Sequence, residues 1–124
     1  KNKATLEEIA KITPNARMAK EAPLAIVVCG DMRNESNDQV REFWVQDASA
    51  ATQNILLAAH AMELGAVWTG TYPAQNRCEA ISQLFNLPSS IIPFSTIVIG
   101  YPKETQQPKD KWKEENISYE VFGE

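Results

Sequence analysis

The chain has 124 residues, of which 44% are hydrophobic and 23% charged, and its formal net charge is −4. This composition is typical of one globular domain rather than two. The acidic balance argues against nucleic acid or an anionic membrane surface as a partner, because the field of the surface repels both. No apolar run reaches the roughly 20 residues that span a bilayer, so we predict no membrane segment.

The N-terminal residues and the cysteines indicate a cytoplasmic protein. KNKATLEEIA is charged and helix-forming, and it contains no apolar stretch of the kind found in signal peptides. Cys29 and Cys78 do not form a CxxC motif. We therefore interpret them as free thiols that pack as small side chains in a reducing compartment.

The first third of the chain predicts a short helix and a strand. Thr5 and Glu8 form a capping box, and Pro14 ends the helix that follows. The run LAIVVCG, between Pro23 and Gly30, is apolar at both alternating sets of positions. We therefore predict an interior strand that is buried on both faces of a sheet.

The longest predicted element is a helix in the middle of the chain. Ser36 and Gln39 form a second capping box, and apolar residues then recur at helical spacing until Gly65, the expected C′ residue. Small residues cover more than one face, so this helix is predicted to be buried on every side. In a chain this short, such burial implies that another segment or another subunit packs on it.

The second half of the chain predicts two strands, one helix and an arm. AVWTGTYP indicates a short strand, PAQNRCEAISQLFNLP a helix closed by Asn86 and Pro88, and IIPFSTIVIGYP a β-branched strand that ends at Gly100. The charged tail ends in apolar residues with a period near two, which is typical of a terminal strand or an extended arm; these residues are Ile117, Tyr119, Val121 and Phe122. The element order predicts a layered fold of mixed α and β structure.

No catalytic side chain and no metal site are predicted. His60 lies in the middle of the long helix without a triad partner or further zinc ligands, so we interpret it as a packed or surface residue. Asp47 is interpreted as a carboxylate at the polar edge of the same helix. The sequence contains no P-loop and no GxGxxG motif.

Two stretches are candidates for ligand binding. In VWTGTYP, Gly70 permits either a positive φ or the close approach of a flat ligand, and an aromatic turn that caps the core is the alternative. In PKDKWK, Lys109 and Lys111 lie two residues apart, so an extended arm would direct both ammonium groups toward one phosphate. Lysines in a charged tail are more often simply solvated, and that alternative stays open.

The ordered set of segments resembles the C-terminal part of the flavin-dependent nitroreductase family over essentially the whole chain. The segments are EAPLAIVVCGD, EFWVQDASAATQNILLAAHAMELGAVWTGTYP, LFNLP, PFSTIVIGYPKE and PKDKWK. The resemblance implies an α+β fold: one domain over residues 1–124, with a central mixed sheet flanked by helices, a long central helix at a homodimer interface, and an extended C-terminal arm. It also implies that FMN binds at that interface.

The resemblance also assigns the residues that contact the cofactor. Thr69 and Gly70 correspond to the contact with the N5 and O4 edge of the flavin, Trp68 lies beside them, and Lys109 and Lys111 correspond to the contact with the FMN phosphate. Many relatives have arginine at the second basic position, so Lys111 would act as a point charge rather than a bidentate fork. The family's N-terminal Arg-Ser-x-Arg phosphate clamp and an asparagine-bearing segment do not occur here. We therefore expect a chain that lacks the family's N-terminal segment.

The reaction implied by the resemblance is hydride transfer from NADH or NADPH, through the flavin, to a small-molecule acceptor such as a nitroaromatic or a quinone, by a ping-pong mechanism. A cofactor that supplies the chemistry is consistent with a sequence that offers no acid, base or nucleophile. Two alternatives stay open. One is a truncated, non-catalytic binding or regulatory module, and the other is a flavoenzyme that dehalogenates or desaturates its substrate.

Overall fold

Three strands form one antiparallel sheet in the order β1, β3, β2: β1 is Leu24–Asp31, β2 is Gly65–Gly70 and β3 is Ile91–Gly100. The coordinates are a computed structural model that describes residues 1–33, 38–105 and 107–123. All three predicted strands are confirmed. The resemblance implied a mixed sheet, whereas the described strands are all antiparallel.

The helices pack on both faces of this sheet, which confirms the α+β fold class. They are α1 (Lys3–Ile12), α2 (Asp38–Arg41), α3 (Trp44–Ala61) and α4 (Gln75–Phe85), with 3₁₀ segments at Pro14–Lys20 and Glu114–Asn116. The first 3₁₀ segment, α1 and α4 form the core with one face of β3, through Ile9, Ile81 and Val98. Helix α3 covers the other face, where the hydroxyl oxygens of Thr52 and Ser95 lie 2.9 Å apart. Strand β3 is therefore the buried centre of three layers.

The prediction that β1 is an interior strand is wrong for the described sheet. Strand β1 pairs only with β3 and is half-buried along most of its length, whereas β3 is buried from Pro93 to Ile99. Both strands have nearly continuous apolar runs, so composition alone cannot distinguish them. The strand pairing determines which of the two is the central strand, because β3 has a neighbouring strand on each side and β1 has only one in the described sheet.

Several predicted helix ends are displaced. Helix α1 begins earlier than the Thr5 capping box predicts, because the Asn2 side chain accepts a hydrogen bond from the Thr5 N–H over 3.1 Å and acts as the N-cap. The Ser36 capping box lies outside the described residues. The long helix is interrupted at residues 42–43 and ends at Ala61, and Glu63 rather than Gly65 adopts the left-handed conformation, with φ 59°. Gly65 instead begins β2.

Helix α3 is buried on one face only, which corrects the prediction of burial on every side. Ala48, Thr52 and Ala59 are buried against the sheet. On the outer side, Leu57 exposes 58% of its surface, and Met62, which follows the helix, exposes 68%. The apolar residues lie on more than one side of α3, but nothing else in the described part of the chain covers Leu57 and Met62.

The C-terminal residues form an exposed arm, and the described part of this arm contains no strand. Of the two structures predicted for the tail, the extended arm therefore agrees with the structure and the terminal strand does not. Nearly all described residues from Tyr101 to Gly123 are exposed, and Ile117 is half-buried. None of the described helices combines the length and the apolar character needed to cross a bilayer.

Candidate functional site

The end of β2 presents backbone groups at an open sheet edge. The Thr71 N–H donates to the Phe94 carbonyl over 3.1 Å, in register with the preceding Gly70–Ser95 pair. Hydrogen-bonded and non-hydrogen-bonded pairs alternate along an antiparallel ladder, so Gly70 lies in a non-hydrogen-bonded pair. Its N–H and its carbonyl therefore both point away from β3, toward the outer edge of the sheet.

Gly70 has empty space on the side where another residue would carry a side chain. A Cβ built on Gly70 would meet no atom within 4 Å, and the φ angle of Gly70 lies outside the left-handed region. The interpretation through a positive φ is therefore wrong, whereas the close approach of a flat ligand stays a prediction. The Gly70 carbonyl accepts a hydrogen bond from the Arg77 guanidinium over 3.1 Å.

The Thr69 side chain is used by the sheet itself. It is 3% exposed, and its hydroxyl donates to the Thr96 carbonyl over 2.7 Å. The ladder alternation also directs the Thr69 N–H toward β3. Any contact with a ligand at this edge would therefore come from Gly70 and not from the Thr69 donors.

Trp68 belongs to a cluster of four aromatic side chains beside the N-terminal end of α3. Its ring centroid lies 5.8 Å from that of Phe94, which in turn lies 5.9 Å from Trp44, and Trp44 makes an edge contact with Tyr72 at 4.8 Å. Such tilted contacts are the favoured geometry for aromatic pairs. Trp68 still exposes 36% of its surface, so it is partly available next to Gly70.

A β-bulge on the central strand positions Phe94 in this cluster. Val28 of β1 pairs with Ser95 and Cys29 pairs with Pro93, so Phe94 is an extra residue on β3. Its ring contacts Trp44 of α3 and lies on the same side of the sheet as the Ser95 hydroxyl. Proline is tolerated inside a strand mainly at such irregularities, so Pro93 was a sequence signal for the bulge.

Lys109 and Lys111 lie on the exposed arm, and the structure records no hydrogen bond or ion pair between either of them and the other described residues. The Trp112 N–H donates to the Asp110 carboxylate over 3.0 Å, and this hydrogen bond constrains the backbone from Asp110 to Trp112, which includes Lys111. The structure thus brings Trp68, Thr69 and Gly70 together, and it does not join the two lysines to them.

Five further titratable side chains lie in ordinary structural surroundings. His60 and Asp47 lie exposed on α3. The Arg33 side chain, helped by its backbone N–H, hydrogen-bonds to Asp31 and lowers the pKa of Asp31 to about 2, so that carboxylate has no proton to donate at neutral pH. Burial raises the pKa of Cys29 and Cys78, which keeps both thiols protonated.

Sequence reasoning missed Arg77, which the fold places beside Gly70. Arg77 lies in the first turn of α4, where a positive charge opposes the helix dipole, and that mismatch was the available signal. Its partner could not be inferred, because the contact depends on how α4 packs after the Tyr72–Pro73 turn.

Comparison with known sequences identifies relatives along the chain. The sequence pattern of the Nitroreductase family matches residues 1–101. A protein of Methanothermobacter thermautotrophicus with the provisional name NADH dehydrogenase/NAD(P)H nitroreductase is 48% identical over 122 residues, which are 98% of this chain and 62% of that protein. The chain thus spans less than two thirds of the length of two curated relatives that it matches.

Solved structures share the fold. A protein of Bacteroides thetaiotaomicron VPI-5482 with the same provisional name is 42% identical and superimposes with a TM-score of 0.88, covering 98% of this chain and 68% of that one. An FMN-dependent nitroreductase of Clostridium difficile R20291 is 24% identical and superimposes with a TM-score of 0.85, covering 98% of this chain and 72% of that one. The second comparison carries information about the fold alone.

Proposed function

Because this chain belongs to the nitroreductase family, we propose that its protein is an FMN-dependent oxidoreductase that transfers hydride from NADH or NADPH to small acceptors such as nitroaromatics and quinones. The reaction follows a ping-pong order in which donor and acceptor occupy the same place in turn. Bound FMN supplies the redox chemistry, and the protein supplies binding and orientation.

The main support for this proposal is the free peptide edge at Gly70. Its N–H points to the outer edge of β2, and the space above its Cα is empty. A flat heterocycle can lie against such a surface and accept the N–H hydrogen bond in the ring plane. Trp68 adds a partly exposed indole beside it. These residues therefore fit the edge of an isoalloxazine ring.

The second part of the proposal concerns the FMN phosphate. Lys109 and Lys111 would bind it as two point charges from the arm, because both are exposed and neither is engaged by a carboxylate of the described residues. Exposed ion pairs contribute little individually, so this contact adds modestly to the affinity for FMN.

The third part is a homodimer with FMN at the interface. Leu57 and Met62 leave large apolar surfaces in solvent next to the small residues of α3. A second copy of the chain packed along α3 would cover them. This arrangement also explains why the sequence pattern predicts burial on more sides of α3 than one chain provides.

The decisive experiment uses the complete purified protein. We expect flavin absorbance after loading with FMN, loss of that absorbance when NADH or NADPH is added anaerobically, and its return when a quinone or nitroaromatic is added. Sedimentation of the same sample should give twice the mass of one chain. A protein that remains colourless in excess FMN would support the non-catalytic module instead. Flavin that bleaches but is reoxidised only by halogenated substrates would favour the dehalogenating alternative.

Replacing both arm lysines should weaken FMN binding moderately. For the Lys109→Gln, Lys111→Gln double variant we expect about fivefold weaker binding, or about 1 kcal/mol, as for loss of exposed charge pairs. The measurement is a titration followed by the quenching of flavin fluorescence. The matched control is the Lys103→Gln, Lys113→Gln double variant, which removes the same charge from the same arm. Equal affinities in the two double variants would contradict a specific phosphate contact.

A further inference from the structure

Arg77 contacts the proposed cofactor edge, and neither the sequence nor the resemblance assigns it a role there. Its Nη1 donates to the Gly70 carbonyl over 3.1 Å, and its side chain is half-buried. The Gly70 carbonyl and N–H leave the strand on the same side, because both belong to a non-hydrogen-bonded residue. The guanidinium therefore lies at the same sheet edge as the N–H that would face a ligand.

The position of Arg77 is electrostatically unfavourable for helix α4. The positive end of the helix dipole is at the N-terminus, where no acidic residue is present in the first turn and the Ala74 cap offers no side-chain hydrogen bond. Among the described residues, the two recorded ion pairs join Lys11 to Glu8 and Arg33 to Asp31. The charge of Arg77 thus has no carboxylate partner there, and it lies next to Gly70.

We propose that Arg77 is a positioning residue that fixes the Gly70 peptide and gives the cofactor edge a positive charge that favours reduced flavin. The inference rests on the proposed FMN function. The peptide unit that follows Gly70 is held at both ends, since Arg77 donates to the Gly70 carbonyl and the Thr71 N–H donates to the Phe94 carbonyl. The Gly70 N–H belongs to the preceding peptide unit, whose direction is set by the pairing of Thr69 with Thr96, so Arg77 fixes the carbonyl side of Gly70 beside it.

The electrostatic part follows from the charge balance of the reaction. A hydride brings two electrons and one proton, so its transfer adds one net negative charge to the flavin. A guanidinium at the same sheet edge stabilises that added charge by Coulomb attraction. Neutralising Arg77 should therefore weaken the binding of reduced flavin more than the binding of oxidised flavin.

The test compares the two-electron midpoint potential of bound FMN in the complete protein and its variants. For Arg77→Gln we expect about a tenfold loss in the preference for reduced over oxidised flavin, which lowers the potential by about 30 mV. Arg77→Lys keeps the charge and should retain nearly the potential of the unmodified protein. The control Arg17→Gln removes an equivalent charge from the 3₁₀ segment and should change nothing.

Each outcome decides a different question. A purely structural role for Arg77 predicts lower thermal stability in Arg77→Gln with an unchanged potential, and that result would overturn this inference alone. Failure of the unmodified protein to bind FMN would overturn the proposed function and this inference together. If Arg77→Gln does not fold, Arg77→Lys decides: a potential that drops despite the retained charge contradicts the electrostatic role.

Discussion

Gly70→Val should weaken FMN binding by more than about a hundredfold, which corresponds to roughly 2.7 kcal/mol, while the cofactor-free protein keeps its melting temperature. The fold tolerates the change because a Cβ at Gly70 meets no atom within 4 Å and the backbone is not left-handed. Valine also suits an extended strand. The branched side chain would instead occupy the space that the flavin edge requires. Titration with FMN and thermal unfolding without FMN measure the two parts separately.

A graded series makes this prediction sharper. Gly70→Ala adds one methyl group and should have an intermediate effect on affinity. Gly65→Ala adds a methyl group at the other end of β2, where its nearest neighbour would be the Gly100 carbonyl oxygen at 3.5 Å, and should leave FMN binding unchanged. Normal FMN binding by Gly70→Val would show that the cofactor does not lie against this peptide edge.

Gly30→Ala should destabilise the fold by about 1–3 kcal/mol, the range expected for an overpacked core. A Cβ at Gly30 would overlap the Trp44 indole at Cε3 and lie 2.8 Å from Met32 Cε. Trp44 also contacts Phe94 and Tyr72, so its displacement would disturb the whole aromatic cluster beside Trp68. Urea unfolding of the cofactor-free protein gives the change in free energy.

The matched substitution for this second prediction is Gly100→Ala. A Cβ there would approach only Pro23 Cδ, at 3.4 Å, which is an ordinary contact. Its effect on stability should therefore be small. If Gly30→Ala and Gly100→Ala unfold at the same urea concentration, Trp44 is free to move aside and the cluster is not rigidly packed.

Local patterns were sufficient to predict the elements but not their arrangement. The three strands, helix α4 with its left-handed cap at Asn86, and most of α3 follow from hydrophobic periodicity and turn residues. The position of β1 at the edge of the sheet does not follow from these patterns. The apolar runs of β1 and β3 are similar, and only the strand pairing distinguishes the edge strand from the central one. The helix ends were displaced where two capping residues compete, as Asn2 and Thr5 do.

The sequence predicted which residues form the candidate site, but not how they are oriented. The sequence singled out Gly70 through its local context, and the resemblance gave it a role. The direction of its N–H depends on the register between β2 and β3, which are more than twenty residues apart in the chain. The contact with Arg77 depends on the packing of α4, and the use of the Thr69 hydroxyl depends on Thr96. Such facts come from tertiary structure only.

The two faces of β3 fix the number of residues between Ser95 and Gly100, beyond the bulge at Phe94. Adding or deleting one residue there would reverse the faces on one side of the change, since strand side chains alternate between faces. Either the Ser95 hydroxyl would lose Thr52, or Val98 would leave the core with Ile81. Natural insertions and deletions are therefore expected in the turn at residues 88–90, and the strand itself should keep a constant number of residues.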